Sequence, residues 1–271
     1  MKTIVVLTDF SKKAELAAQI AIEIALAAKA KVHLLTTFQV HQVFSSDAGV
    51  FLYYEDYKEE EKILNIKLKN LVKKLLVKFE GGKHPVISYK SQPGNLAENV
   101  ERLKPWLMVM GGKSKASTLS HLIFGSKSSE VIDRALCPLL IVPEKAELIP
   151  FKRILFATDL DPSEKNSLSF LEEFGNLWNA QIMVLHVSET SQTEDHNLNN
   201  IFASHYHKIH YSDVRGADIA AAIHRYAGRE SINLIAVSHK KRSVIGQLLH
   251  KSVGKDILNY QRIPVLILNK S

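Results

Sequence analysis

The feature that most constrains this chain is that it repeats itself. The stretch TIVVLTDFSKKAELAAQIAIEIALAAKAKVHLLTT from Thr3 lines up without a gap on RILFATDLDPSEKNSLSFLEEFGNLWNAQIMVLHV from Arg153. Thr8-Asp9 falls on Thr158-Asp159 and Ala30 on Ala180, an offset of 150 at both places. Further on, CPLLIVP from Cys137 meets IPVLILN from Ile263 at an offset of 126, so the second copy is about two dozen residues shorter in its middle. The first copy spends those residues on FQVHQVFSSDAGVFLYYEDY and the helix after it. A repeat of this kind means one folding unit copied, and 271 residues suffice for two domains of ordinary size. We place them at residues 1–145 and 150–271, with the boundary in PEKAELIPFK.

Each copy opens on a short, continuously apolar run, TIVVL or RILFA. Such a run suits a strand buried on both faces, as in a parallel sheet. A helix follows, capped by Ser11 in the first copy. In the second, Asp161, Pro162 and Glu164 read as an N-cap, a proline at the first helical position and a glutamate at the third. Then come a second strand (VHLLTT, IMVLHV), a helix, a third strand (PVISYK, KIHYSD), a helix, a fourth strand, a loop, a helix and a fifth strand. In the first copy's second helix Leu64, Leu68, Leu71, Leu75 and Phe79 recur at spacings of three and four and predict its core face. Lys62, Lys67, Lys73, Lys74 and Lys78 point mostly elsewhere, as a solvated surface rather than a nucleic-acid face. Alternating strands and helices imply a doubly wound parallel sheet, which binds ligands at the carboxyl ends of its strands, between strands one and four.

The residues VMGGKS at 109–114 end like a Walker loop. A Walker loop needs a glycine five positions before Gly112, and Leu107 stands there, inside an apolar strand. The Rossmann fingerprint is missing from both first turns, TDFSKK and TDLDPS. The whole arrangement instead resembles the universal stress protein family in its tandem form. LTDFS resembles that family's first strand-to-helix turn, and LMVMGGKSKASTLSHLIFGSKSSEVIDRALCPLLIVP resembles its fourth strand, phosphate loop, fourth helix and fifth strand. The resemblance implies an α/β fold of two Rossmann-like domains of the adenine nucleotide alpha hydrolase-like kind, each a five-stranded parallel sheet flanked by helices.

Nucleotide-binding members of that family show G-x2-G-x9-G-[ST] in the loop. Glycines there let main-chain N–H groups approach phosphate, and the last pair opens a helix whose N-terminus favours anions. Counted back from Gly125-Ser126, the first two glycine positions hold Gly112 and Lys115; counted forward from the strand, they hold Gly111 and Ser114. Neither register supplies the second glycine, so a weakened phosphate site and a loop that only caps the sheet both fit. By the same resemblance Asp9, ending strand one, would contact the nucleoside, and Thr37, ending strand two, the adenine of ATP or another adenine nucleotide. Asp9 also reads as a turn former and Ser126 as a helix N-cap. In the second copy the loop positions hold Ser238, Lys241 and Lys251, with no glycine, while Asp159 and Val187 end its first two strands.

Other chemistry is poorly supported. His205, His207 and His210 cluster without a neighbouring cysteine or acid, and no metal is expected. There is no nucleophile elbow and no base–nucleophile pair to name, so the chain reads as a non-enzyme, with slow nucleotide hydrolysis left open. The lone Cys137 reads as a buried thiol; nothing requires an oxidising compartment, and the opening residues are too short for a signal core, so the cytoplasm is expected. A formal charge of +7 reads as a lysine-rich surface. The segment 43–57, with Phe44, Phe51, Tyr53, Tyr54 and Tyr57, reads as packing, with a small-ligand or partner site as the alternative. The resemblance implies a stress-response regulator that binds ATP or AMP in its first domain and acts through a protein partner. A nucleotide-free interaction or small-molecule-binding protein of the same fold is the alternative. Fifth strands mediate pairing in the family; here PLLIVP and PVLIL can pair within the chain as a pseudo-dimer, and a homodimer is a further expectation.

Overall fold

The computed structural model describes residues 1–38, 43–45, 49–51, 54–79, 82–112, 137–148, 150–158, 164–188, 209–216, 218–238 and 262–268. By its internal contacts the chain divides into two units, Met1–Gly111 and Gly112–Ser271.

In the first unit β1 (Thr3–Leu7) lies between β2 (Lys31–Phe38) and β6 (Leu107–Gly111), and β5 (Ile87–Pro93) adds to the far side of β2, all parallel. Every residue of β6 is buried, as are Ile4 to Leu7 of β1. Helix α1 (Lys12–Ala28) covers the sheet with a face of small and branched residues that includes Ala17, Ala21 and Ile24. Ser11 caps it as expected, its Oγ accepting the Ala14 N–H at 3.3 Å. Helix α2 (Tyr54–Val77) packs on β5, with Leu68 and Leu75 fully buried on the face that the leucine spacing predicts. Helix α3 (Leu96–Leu103) is capped by Asn95. Within 43–57, β3 (Val43–Ser45) and β4 (Gly49–Phe51) form a short antiparallel hairpin ahead of α2.

In the second unit the order is β10 (Ile209–Arg215), β9 (Gln181–Ser188), β8 (Arg153–Thr158), β11 (Leu234–Ser238) and β12 (Val265–Leu268), again parallel. Both units therefore run third, second, first, fourth strand across the sheet. Strand β7 (Leu139–Val142), the fifth strand of the first repeat, pairs antiparallel with β12 and groups with the second unit. The two fifth strands thus meet, which covers an otherwise exposed strand edge. Helix α4 (Lys165–Asn176) brings Phe174 against Phe151 and Trp178, with ring centroids 5.9 and 5.3 Å away. Its described part starts at Lys165, whereas the capping residues expected at Asp161 and Pro162 lie outside the described residues. Helix α5 (Ile219–Arg229) is capped by Asp218. Cys137 is buried.

Candidate functional site

The carboxyl edge of the first unit's sheet is where the chemistry gathers. Leu7 pairs with Leu35 on one side and with Met110 on the other. One step further, Thr8, just past β1, comes level with Thr36 of β2 and Gly111, the last residue of β6, and Asp9 and Thr37 follow on their strands. This is the crevice between strands one and four, where open α/β sheets take ligands. The register sets Asp9, Thr37 and Gly111 along one edge of the sheet.

The turn out of β1 is built from side-chain oxygens. Thr8 Oγ1 accepts the Phe10 N–H at 3.0 Å, and Asp9 Oδ1 accepts the Ser11 N–H at 3.0 Å. Short polar side chains favour such turns because they offer the backbone a local partner. Between them Phe10 stands at φ 63°, a left-handed conformation rare for a bulky residue. The Lys67 ammonium of α2 lies 5.9 Å from the Phe10 ring, within cation–π range. Thr8 is buried and Asp9 exposed, so the carboxylate faces solvent while it closes the turn. Thr37 is half-buried and sits opposite Gln92 on β5. Phe10 and Gln92 escaped the sequence reading, since nothing in the string marks a left-handed phenylalanine or sets the β2–β5 register.

The two described glycines of the loop have local tasks. A Cβ at Gly111 would come within 2.8 Å of the Lys13 carbonyl carbon in the first turn of α1. Gly112 opens the second unit; its N–H donates to the Val142 carbonyl at 2.8 Å, and a Cβ there would meet Ile141 at 3.1 Å. Ser114, Lys115, Gly125 and Ser126 lie outside the described residues, as do Asp159, Lys241 and Lys251.

A family model described as the universal stress protein family matches residues 1–143. The chain belongs to the universal stress protein family. Among solved structures it is similar to a universal stress protein from Archaeoglobus fulgidus DSM 4304, with 15% identity, coverage of 99% of this chain and 96% of that one, and a TM-score of 0.65. A protein from Pseudomonas aeruginosa UCBPP-PA14, named for the same family, shares 14% identity over 100% of this chain and 94% of that one, at a TM-score of 0.57. The cytoplasmic domain of a prokaryotic cation chloride cotransporter covers 99% of this chain and 95% of its own length, at 12% identity and a TM-score of 0.52. These likenesses establish the fold, and a fold carries many tasks. No curated protein matches the sequence.

The second unit of this universal stress family member ends its strands differently. Thr158 is buried and its hydroxyl donates to the buried Glu164 carboxylate. His186 Nδ1 lies 3.1 Å from the Thr158 carbonyl oxygen, and Val187, at the position of Thr37, is buried and apolar. His210, the second residue of β10, is exposed, while His205 and His207 lie outside the described residues. Among the described residues no group of three or more His, Cys, Asp or Glu is placed to hold a metal, and no helix is long and apolar enough to cross a membrane.

Proposed function

We propose that the chain is a cytoplasmic stress-response regulator, built of repeats at 1–145 and 150–271, that binds an adenine nucleotide in the first repeat and acts through a protein partner. The observation that carries this is the shared edge of Asp9, Thr37 and Gly111 at the crevice beside β1. Asp9 offers an exposed carboxylate to a ribose hydroxyl, and Thr37 a hydroxyl to the base. By the family resemblance, Gly125 and Ser126, with Ser114 and Lys115 of the same loop, would take the phosphate. The second repeat, with Val187 and no glycine at the three loop positions Ser238, Lys241 and Lys251, takes no triphosphate. The role is regulatory rather than enzymatic, and a homodimer fits it.

Titration with ATP tests this. Wild type binds, and Gly125→Trp does not, because the indole fills the space over the phosphates. Absent binding, or binding indifferent to that bulk, would reject the reading.

The nucleotide-free alternative has its own support. The Gly112 N–H is already spent on Val142, and packing against Lys13 alone accounts for Gly111. On that reading the loop caps the sheet, and wild type and Gly125→Trp both ignore ATP.

A further inference from the structure

Helix α2 carries two faces, and among the described residues only one is covered. Opposite the buried Leu68 and Leu75, Ile63 is 47% exposed, Ile66 51% and Val77 59%. With Asn70 and Lys73 these residues fall at steps of 3, 4, 3 and 4, the spacing that brings side chains into one stripe along a helix. Asn70 and Lys73 are exposed too. Along one border run Lys62 and Lys69, both exposed. On the other, Lys74 is drawn toward Glu15 of α1 at 2.5 Å, and Lys67 toward Phe10. The helix is anchored beneath: Asn65 Oδ1 accepts the Ser91 N–H at 3.0 Å, and Ser91 Oγ donates to the Glu61 carbonyl at 3.1 Å. Three branched apolar side chains therefore stand in water on the Lys62–Val77 part of the helix, which carries five lysines and no acid and follows the acidic residues Glu59, Glu60 and Glu61.

We infer that this stripe docks an acidic amphipathic helix of a partner protein. Charge decides among the occupants. A second copy of α2 laid on this span would add its own five lysines to the five between Lys62 and Val77, and like charges at that range repel. An acidic helix pairs with them, and its apolar seam covers Ile63, Ile66 and Val77. The polar centre argues against a lipid surface, since Asn70 and Lys73 divide the apolar positions into two groups. Between helices the same pair is useful: a single polar residue in an apolar seam fixes register at some cost in affinity. The partner then presents a carboxylate opposite Lys73. The surface lies on the first unit alone and works whether or not a nucleotide binds.

The test uses the full chain and a synthetic helix with leucine at its a and d heptad positions, one central asparagine and glutamate at e and g. A twin peptide carries lysine at e and g. By fluorescence anisotropy the acidic peptide binds, more weakly as salt rises, and the twin does not. Ile66→Glu weakens binding about tenfold or more, with an unchanged urea midpoint because residue 66 faces water. The paired reversal Lys69→Glu with Lys73→Glu loses the acidic peptide and gains the twin. No binding, equal binding of both peptides, or indifference to Ile66→Glu would overturn the inference. So would a dimer in sedimentation that Ile66→Glu dissolves, or co-sedimentation with phosphatidylserine vesicles that the acidic peptide does not compete.

Discussion

Gly111 packs against Lys13 so closely that a Cβ at position 111 would lie 2.8 Å from the Lys13 carbonyl carbon and 3.0 Å from the Ala14 nitrogen. Both are backbone atoms of the first turn of α1 and cannot swing aside. Gly111→Ala must push β6 and α1 apart. We expect a loss of about 1–3 kcal/mol by urea denaturation, in protein free of nucleotide. Unchanged stability would leave ligand access as the reason for that glycine.

Phe10 offers a test of backbone strain. At φ 63° an L side chain costs about 1–2 kcal/mol that glycine does not. Replacing the ring loses its contact with Lys67 in either variant, so the informative comparison is between Phe10→Ala and Phe10→Gly. Glycine should be the more stable of the two by about 1 kcal/mol, the reverse of the order at an ordinary site. Equal midpoints in chemical denaturation would mean the turn relaxes out of the left-handed region.

Much of this architecture is legible in the string, for physical reasons that differ by element. The continuous apolarity of TIVVL and RILFA predicts strands buried on both faces, and all but the first residue of each run are buried. The leucine spacing in α2 predicts its core face, because a helix returns to one side every three or four residues. Ser11 is readable as a cap because a short hydroxyl before an apolar run has few other uses there. Harder to read was the opposite face of α2. Ile63, Ile66 and Val77 look like core residues by type, and only helical phase and exposure set them apart from Leu68. The candidate site was half legible. The places of Asp9 and Thr37, near the carboxyl ends of β1 and β2, follow from the apolar runs before them, whereas the Gly111–Lys13 contact depends on how closely a helix approaches a strand, which no local pattern encodes.

Ser91 ties β5 to α2 by two hydrogen bonds, one through its amide and one through its hydroxyl. Ser91 is fully buried, and its N–H donates to Asn65 Oδ1. Asn65→Ala removes that acceptor, and an unmet buried N–H costs about 1–3 kcal/mol. Asn65→Asp keeps an oxygen in place and should recover most of the loss. Denaturant midpoints of the two variants check this, and equal losses would show that something other than the hydrogen bond is at stake.

His33 should make the first unit sensitive to acid. Its Nδ1 lies 2.8 Å from Ser88 Oγ, and its Nε2 is buried without a hydrogen-bond partner among the described residues. Burial first, and then the positive charge of Lys90, hold its pKa below the ordinary 6.5. The folded protein therefore resists a proton that the unfolded chain accepts. Stability from this group is complete above the unfolded value of 6.5 and falls as pH drops from there toward the depressed folded value. Urea unfolding across that window should show a shallower acid loss in His33→Gln than in wild type; parallel curves would contradict the assignment.

Asp9 must be separated into two tasks. Its Oδ1 closes the turn onto Ser11, a local duty that needs an acceptor but no charge. A contact to nucleotide would use the exposed carboxylate as such. Asp9→Asn keeps the acceptor and removes the charge, whereas Asp9→Ala removes both. The asparagine variant should hold its denaturation midpoint to within about 0.5 kcal/mol, and the alanine variant should lose about 1 kcal/mol. If the carboxylate meets a ribose, the asparagine variant also loses ATP affinity at unchanged stability, a result that turn formation alone cannot produce. Full affinity in that variant would confine Asp9 to the turn and move the site toward Thr37.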